Sequence, residues 1–352
     1  MNGGRLIAGQ ICLLTLVALL TAGPVKAQRA GENAVAEADD AFGTVVGSEE
    51  IGLYSSSSAR GFSPSQAGNL RINGMFFDQA TAPNLRIRRG STIHVGISAQ
   101  GYPLPAPTGV VDYKLRLPGD RHVTSVVATE GALFSYARHT AEIDTQFPVV
   151  EGVLSVGGGL SYKRNTAHQV AVGDEGYDAG LIAHWTPNDS VSVIPFFSYA
   201  KTSAVDGDRP RIFVGDNEPP KFRAEDLTSP DWLFFGFRNY NYGLVGSAEL
   251  ANQWKIEFGA FRSESNTPRS FTAFVLNTDS LGQGDYAISQ SPPRSNKSTS
   301  GELRVSKFFV ENARRHTVYV TARARDRAST FGGGELRFFG PVTLGAFPNL
   351  AE

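Results

Sequence analysis

The chain has 352 residues, with 33 Lys and Arg against 34 Asp and Glu, a formal net charge of −1. So even a balance, with no dense basic stripe, gives no sign of nucleic-acid binding, and the single cysteine, Cys12, excludes a disulfide framework. The 38 glycines exceed the usual ~7% of a chain, and with 23 Phe and 11 Tyr they favour strands over helices.

The first segment reads as an export signal over residues 1–27. Met1 to Arg5 is a short basic start, Leu6 to Leu20 is mostly apolar, and Val25-Lys26-Ala27 offers a small-residue cleavage site. Gln10 and the break at Thr21-Ala22-Gly23-Pro24 leave the apolar core short of the ~20 residues of a spanning helix, the competing reading. Cleavage removes Cys12. No later run approaches the ~18 apolar residues of a membrane helix, so an exported chain of this kind enters a membrane only as a β-barrel.

Residues 28–120 read as a small mixed α+β domain. Ala30 to Asp40 is small and acidic and is expected to be a mobile tail. Ser55 to Ser58 and Ser63 to Gly68 are turn-rich. Asn69 to Gly74 is a strand closing on an Asn-Gly turn. Leu85 to Arg89 and Val110 to Leu117 are two further strands, with Gly90 and Gly109 at tight corners.

From His122 onward, two-residue alternation dominates. Leu154, Val156, Leu160 and Tyr162 face one way while Ser155, Gly157, Gly159 and Ser161 face the other. Tyr177, Ala179, Leu181 and Trp185 oppose Asp178, Gly180 and His184 in the next run. Nine strands are expected, near 121–129, 133–144, 152–163, 177–186, 190–201, 240–250, 254–263, 299–309 and 316–325. Their length is near the ~9–11 residues that cross a bilayer at a tilt, against a usual ~5–6. Short connections such as Pro187-Asn188-Asp189 and Ala251-Asn252-Gln253 alternate with long ones, Asn165–Gly176, Thr202–Asn239 and Asn266–Ser298. Aromatic residues stand at run ends: Tyr177, Trp185, Tyr199, Tyr240, Trp254 and Phe309. Alternation alone fits a soluble β-sandwich equally well. Length, loop asymmetry and aromatic ends favour an outer-membrane barrel. Phe331 to Glu352 reads as the start of another external loop with a fragment of a strand, and nine is an odd count where single-chain bacterial barrels use even ones. The expectation is a barrel cut short at its C-terminus.

Arg60-Gly61-Phe62, Asn69-Leu70-Arg71-Ile72-Asn73-Gly74, Arg89-Gly90 and Pro107-Thr108-Gly109-Val110-Val111 follow one another in an order and spacing that resembles the plug of TonB-dependent outer-membrane receptors, especially the siderophore branch. The resemblance covers about residues 41–120. It departs from the family at Ser91, where Pro is usual, and at Thr108 and Asp112. No energy-coupling box is recognisable between Gln28 and Gly47. Such a resemblance implies a mainly β protein: signal over 1–27, plug with its tail over 28–120, and the N-terminal part of an incomplete antiparallel transmembrane β-barrel over 121–352. It also implies outer-membrane location, import of a scarce ligand such as a ferric siderophore, and a TonB energy-transducing partner. By resemblance Arg60, Phe76 and Phe77 are candidate ligand contacts on the plug. In the long Thr202–Asn239 connection, Arg209, Arg211 and Trp232 form a basic-aromatic cluster suited to an anionic chelate. Competing structural roles are plug-to-wall bonding for Arg60, core packing for the two Phe residues, and loop stabilisation for the cluster.

Enzymatic chemistry finds no support. The histidines (His94, His122, His139, His168, His184 and His316) are scattered without metal-ligand spacing. Gly96-Ile97-Ser98-Ala99-Gln100-Gly101 misses the nucleophile-elbow spacing, and Gly157-Gly158-Gly159 lies within a strand rather than before a helix. No catalytic residue, metal or cofactor is expected. The readings that compete with a receptor are a passive porin-like or adhesin barrel, and a truncated product without function. A separate domain ahead of the first barrel strand speaks against a porin.

Overall fold

The computed structural model describes residues 35–40, 43–48, 63–95, 109–133, 136–167, 173–205, 210–215, 218, 220–223, 227, 230, 232–233 and 235–348. The export signal, Arg60 and Arg209 lie outside the described residues. Within them the chain forms strands and turns, with one 3₁₀ turn at Ala251–Gln253, and no helix is long and apolar enough to cross a membrane.

The first region is a six-stranded mixed sheet. It comprises β1 (Val35–Asp40), β2 (Gly43–Ser48), β3 (Leu70–Ile72), β4 (Met75–Phe76), β5 (Arg88–His94) and β6 (Val110–Leu115), in the order β2-β1-β5-β6-β3-β4. The Asn73-Gly74 turn has positive φ at both residues (46° and 83°), as a tight hairpin requires. Gly109 also turns at positive φ, whereas Gly90 sits inside β5 at a register shift rather than at a corner. The stretch read as a mobile tail is partly ordered: Val35–Asp40 runs parallel to β5, Val35 opposite Gly90. Its small acidic residues carry no apolar alternation; backbone pairing with a neighbouring edge makes it a strand.

The second region is one antiparallel sheet of nine strands. These are β7 (Val123–Leu133), β8 (Tyr136–Val150), β9 (Leu154–Ala167), β10 (Gly173–Asn188), β11 (Val191–Val205), β13 (Phe235–Leu250), β14 (Trp254–Thr267), β17 (Arg294–Glu311) and β18 (Arg314–Thr330). All nine expected strands are present, and they run 11 to 18 residues, because pairing continues past the apolar stretch. The sheet is not closed: β7 and β18 are its edges among the described residues.

The long connections are not plain loops. They contribute β12 (Arg211–Val214), β15 (Ser270–Thr278) and β16 (Gln283–Ser291), which with β19 (Glu335–Thr343), in the stretch after Phe331 where a strand fragment is expected, form a four-stranded sheet at the long-connection end. It encloses a small core of Leu233, Phe271, Ala273, Val275, Tyr286, Ile288 and Val342.

The wall's two faces are the reverse of a soluble sheet. Ser298, Ser300, Glu302, Arg304 and Ser306 on β17 are buried against the first region, whereas Leu303 between them is 48% exposed. Leu160, Leu181, Phe197, Tyr242 and Val320 are also exposed. A polar inner face and an apolar outer one suit a strand that meets lipid outside.

Candidate functional site

The first region, here called the plug, packs against the nine-stranded sheet, the wall, and the candidate site is the seam between them. Where Met75, Phe77, Ile72 and Ile87 of the plug meet Ile182, Ile194, Phe196, Val245 and Phe261 of the wall, contact is apolar. Two wall glycines let the plug close in. A Cβ on Gly180 would lie 2.6 Å from that of Arg86, and one on Gly259 would lie 2.7 Å from that of Met75.

Around this apolar centre, residues 77–84, between β4 and the turn at 85–87, cross the wall and are not paired in a sheet. Backbone groups without a ladder need other partners when buried, and wall side chains supply them. The Phe76 N–H donates to Glu302 Oε2 (3.2 Å) and the Asp78 N–H to Ser300 Oγ (3.0 Å). Those of Ala80 and Thr81 both donate to Ser263 Oγ (3.0 and 3.1 Å). Asn241 donates to the Ala82 carbonyl (3.2 Å), and the Asn84 N–H donates to Ser198 Oγ (3.1 Å). The Asn84 side-chain amide reaches the carbonyls of Ala179 (2.9 Å) and Tyr199 (2.7 Å). In sequence the partners sit on β17, β14, β13, β11 and β10, which is their order around the wall.

Both ends of this strap are held by buried charge. At one end Arg86 pairs with Asp144 (2.7 Å) and Glu142 (2.9 Å) on β8. At the other, Ser298 Oγ donates to Asp78 (2.7 Å), with Arg325 at 3.4 Å. Glu302 joins Arg304 and Arg323, the latter at 2.8 Å, and Arg304 also donates to the Gly74 carbonyl (3.2 Å). The Arg86 backbone lies against Gly180 on β10, and its side chain carries the link on to β8.

The sequence-derived candidates fall into two places. The Phe76 ring lies between the guanidinium groups of Arg71 (5.5 Å) and Arg323 (5.4 Å). Burial and then Arg323 lower the Arg71 pKa from 12.5 to about 10, against the pull of Glu302, so this arginine remains a cation at neutral pH. Phe77 is buried, edge-on to Phe261 at 5.6 Å and to Tyr113 at 6.4 Å, in the packing role weighed for it. Arg211 opens β12 on the outer sheet and is exposed. Trp232 packs edge-on against Phe271 at 5.1 Å in that sheet's core. Phe76 and Phe77 thus share the seam, while Arg211 and Trp232 share the outer sheet.

The anchors Asp78, Arg86, Asp144 and Glu302 were not singled out from sequence. The readable signal was the row Ser298, Ser300, Glu302, Arg304, Ser306, five polar residues on one face of a strand that needs none for lipid. Among the described residues no group of three or more His, Cys, Asp or Glu is placed to hold a metal ion.

No protein-family model and no curated protein matches the chain. Solved structures do. The ferripyoverdine receptor of the outer membrane of Pseudomonas aeruginosa superposes with a TM-score of 0.61 at 12% identity, covering 88% of this chain and 41% of that one. The ferric-catecholate import receptor Fiu of E. coli K12 gives 0.62 at 11%, covering 81% and 46%. The ferric preacinetobactin receptor BauA of Acinetobacter baumannii gives 0.56 at 17%, covering 82% and 43%. The chain spans less than half the length of these receptors, and at such identities the likeness is one of fold. That fold is the plug and barrel of TonB-dependent receptors, mainly β, with the sheet left open.

Proposed function

We propose that the chain is the plug and N-terminal barrel part of a TonB-dependent outer-membrane receptor that imports a ferric siderophore. In this reading residues 1–27 are the export signal, 28–120 the plug with its tail, and 121–352 the barrel portion. The observation that carries it is the strap: a plug segment hydrogen-bonded across the inner wall obstructs a lumen that a passive porin keeps open. A plugged lumen passes cargo only if work moves the plug, and the inner-membrane TonB complex supplies that work by pulling on the N-terminal segment, taken up as a strand on a sheet edge. Arg60, Arg209, Arg211 and Trp232 are the proposed ligand contacts. Cationic guanidinium groups and an aromatic wall suit an anionic iron chelate, while Phe76 and Phe77 set the plug against the wall.

Iron-starved cells with and without the gene test this. Expression should rise on iron limitation, and uptake of radiolabelled ferric siderophore should depend on the gene and stop when the proton-motive force is collapsed. Unchanged expression together with unchanged uptake would refute it, and uptake that survives the collapse would favour a passive pore.

A further inference from the structure

We infer that Arg325 and Arg327 on β18, with Arg294 on β17, form a site on the inner wall for a ligand that carries several carboxylates. Its occupant takes these guanidinium groups from Asp78 and so frees one end of the strap. The inference rests on the import reading above; it adds the class of ligand and the contact through which the plug registers it.

The two ends of the strap are built differently. At the β8 end one arginine serves two carboxylates, Arg86 lying 2.7 Å from Asp144 and 2.9 Å from Glu142. At the other end two arginines share one carboxylate oxygen, Asp78 Oδ1, at 3.4 Å from Arg325 and 3.9 Å from Arg327. Both distances exceed the ~2.7–2.9 Å of a close charge-assisted bond. The Asp78 side chain is buried, whereas those of Arg325 and Arg327 are 56% and 47% exposed. The close bond at this end, from Ser298 Oγ at 2.7 Å, goes to the other oxygen. One end is thus a tight lock with carboxylate to spare, and the other a loose clasp with cation to spare.

Register puts that spare cation inside the wall. Arg325 stands opposite Ser300 and Arg327 opposite Ser298, two serines buried against the plug. Alternate residues share a face, so the inner face continues from Ser298 to Asn296 and Arg294 on β17. Beside these lie Ser329 on β18 and Ser265 and Thr267 on β14. Between the strap and the long-connection ends of β14, β17 and β18, this face presents three arginines with hydroxyl and amide groups. Among the described residues it carries no carboxylate there except Asp78 of the plug. Arg294 is exposed and reaches only Ser291 Oγ, at 3.5 Å.

The planar fork of a guanidinium matches a carboxylate in paired hydrogen bonds, and the group these arginines now hold is a carboxylate. A ligand with several carboxylates reproduces what it displaces and gains Arg294 besides. Asp78, left buried without its cations, is then destabilised where it lies, and the strap loosens from this end while Arg86 keeps the other. Competition is reciprocal: whatever loosens the strap by binding must itself bind more tightly once Asp78 no longer competes.

The test titrates the full chain, inserted in phosphatidylcholine vesicles, with iron-free tricarballylate or with inorganic phosphate, by calorimetry. Hydrogen exchange is followed over residues 77–84 and over β10 and β11. Tricarballylate should bind, and R325S/R327S should abolish that binding. D78N, which keeps an acceptor for Ser298, should tighten it by roughly fivefold, as expected from releasing partly exposed ion pairs. Saturation should speed exchange in residues 77–84 and leave β10 and β11 protected. A D78N chain that binds no more tightly would overturn the competition, as would unchanged exchange in the strap. Phosphate binding as tightly as tricarballylate would overturn the carboxylate assignment. A chain that imports ferric siderophore without binding tricarballylate sinks this inference alone, because failure of the import reading shows separately, as uptake independent of the gene.

Discussion

On β17 Glu302 is buried and its neighbour Leu303 is 48% exposed, whereas in the four-stranded outer sheet Val275 and Tyr286 are fully buried. The same two-residue alternation thus serves two surroundings within one chain. The outer sheet buries Phe271, Val275, Tyr286 and Ile288 in a core of its own, although Phe213, Leu336 and Phe338 stay exposed. Outside the apolar centre of the seam, the wall turns its apolar side chains outward and its polar ones to the plug. Periodicity alone does not tell these cases apart; what lies on each face does.

Three substitutions can break or sharpen this contrast, each followed by urea unfolding of the vesicle-inserted chain. The largest effect is expected from E302A. Removing the carboxylate leaves Arg304 and Arg323 without it and the Phe76 N–H without an acceptor, a loss of about 3–5 kcal/mol. A loss below that of an exposed ion pair would show that the seam is wet and loosely held. One residue on, L303R places a cation on the outward face and should cost about 2–4 kcal/mol if that face meets lipid. A sheet in water would tolerate it, so a neutral result would reverse the assignment of faces. Smallest is V275A, a buried truncation in the outer sheet worth about 2 kcal/mol. Hydrogen exchange should report that loss in β15 and β16 while the wall stays protected, and equal loosening of the wall would mean that the two sheets do not open independently.

The nine wall strands were legible because each repeats its alternation over many residues, as in Leu154, Val156, Leu160 and Tyr162. Of the outer sheet only the strand fragment after Phe331 was. Its strands are 4 to 9 residues long and lie among the prolines and glycines of long connections, where Phe271, Ala273 and Val275 look like isolated apolar residues. β1 was missed for another reason: its pairing partner is backbone, which leaves no mark on side-chain choice. The seam was hidden by distance along the chain. Asp78 meets Ser298 220 residues away and Arg325 247 away, and a lone serine facing a lumen resembles any other serine.

The strap also bears on how such a wall comes to be curved. A segment fixed to β17 at one end and β8 at the other holds seven adjacent strands at a set chord, as a mandrel gives its radius to a coil wound on it. Contacts of such long sequence separation form late and slowly. The plug segment then braces the girth of the finished sheet as well as obstructing it, and a wall from which it is withdrawn is free to take a different girth.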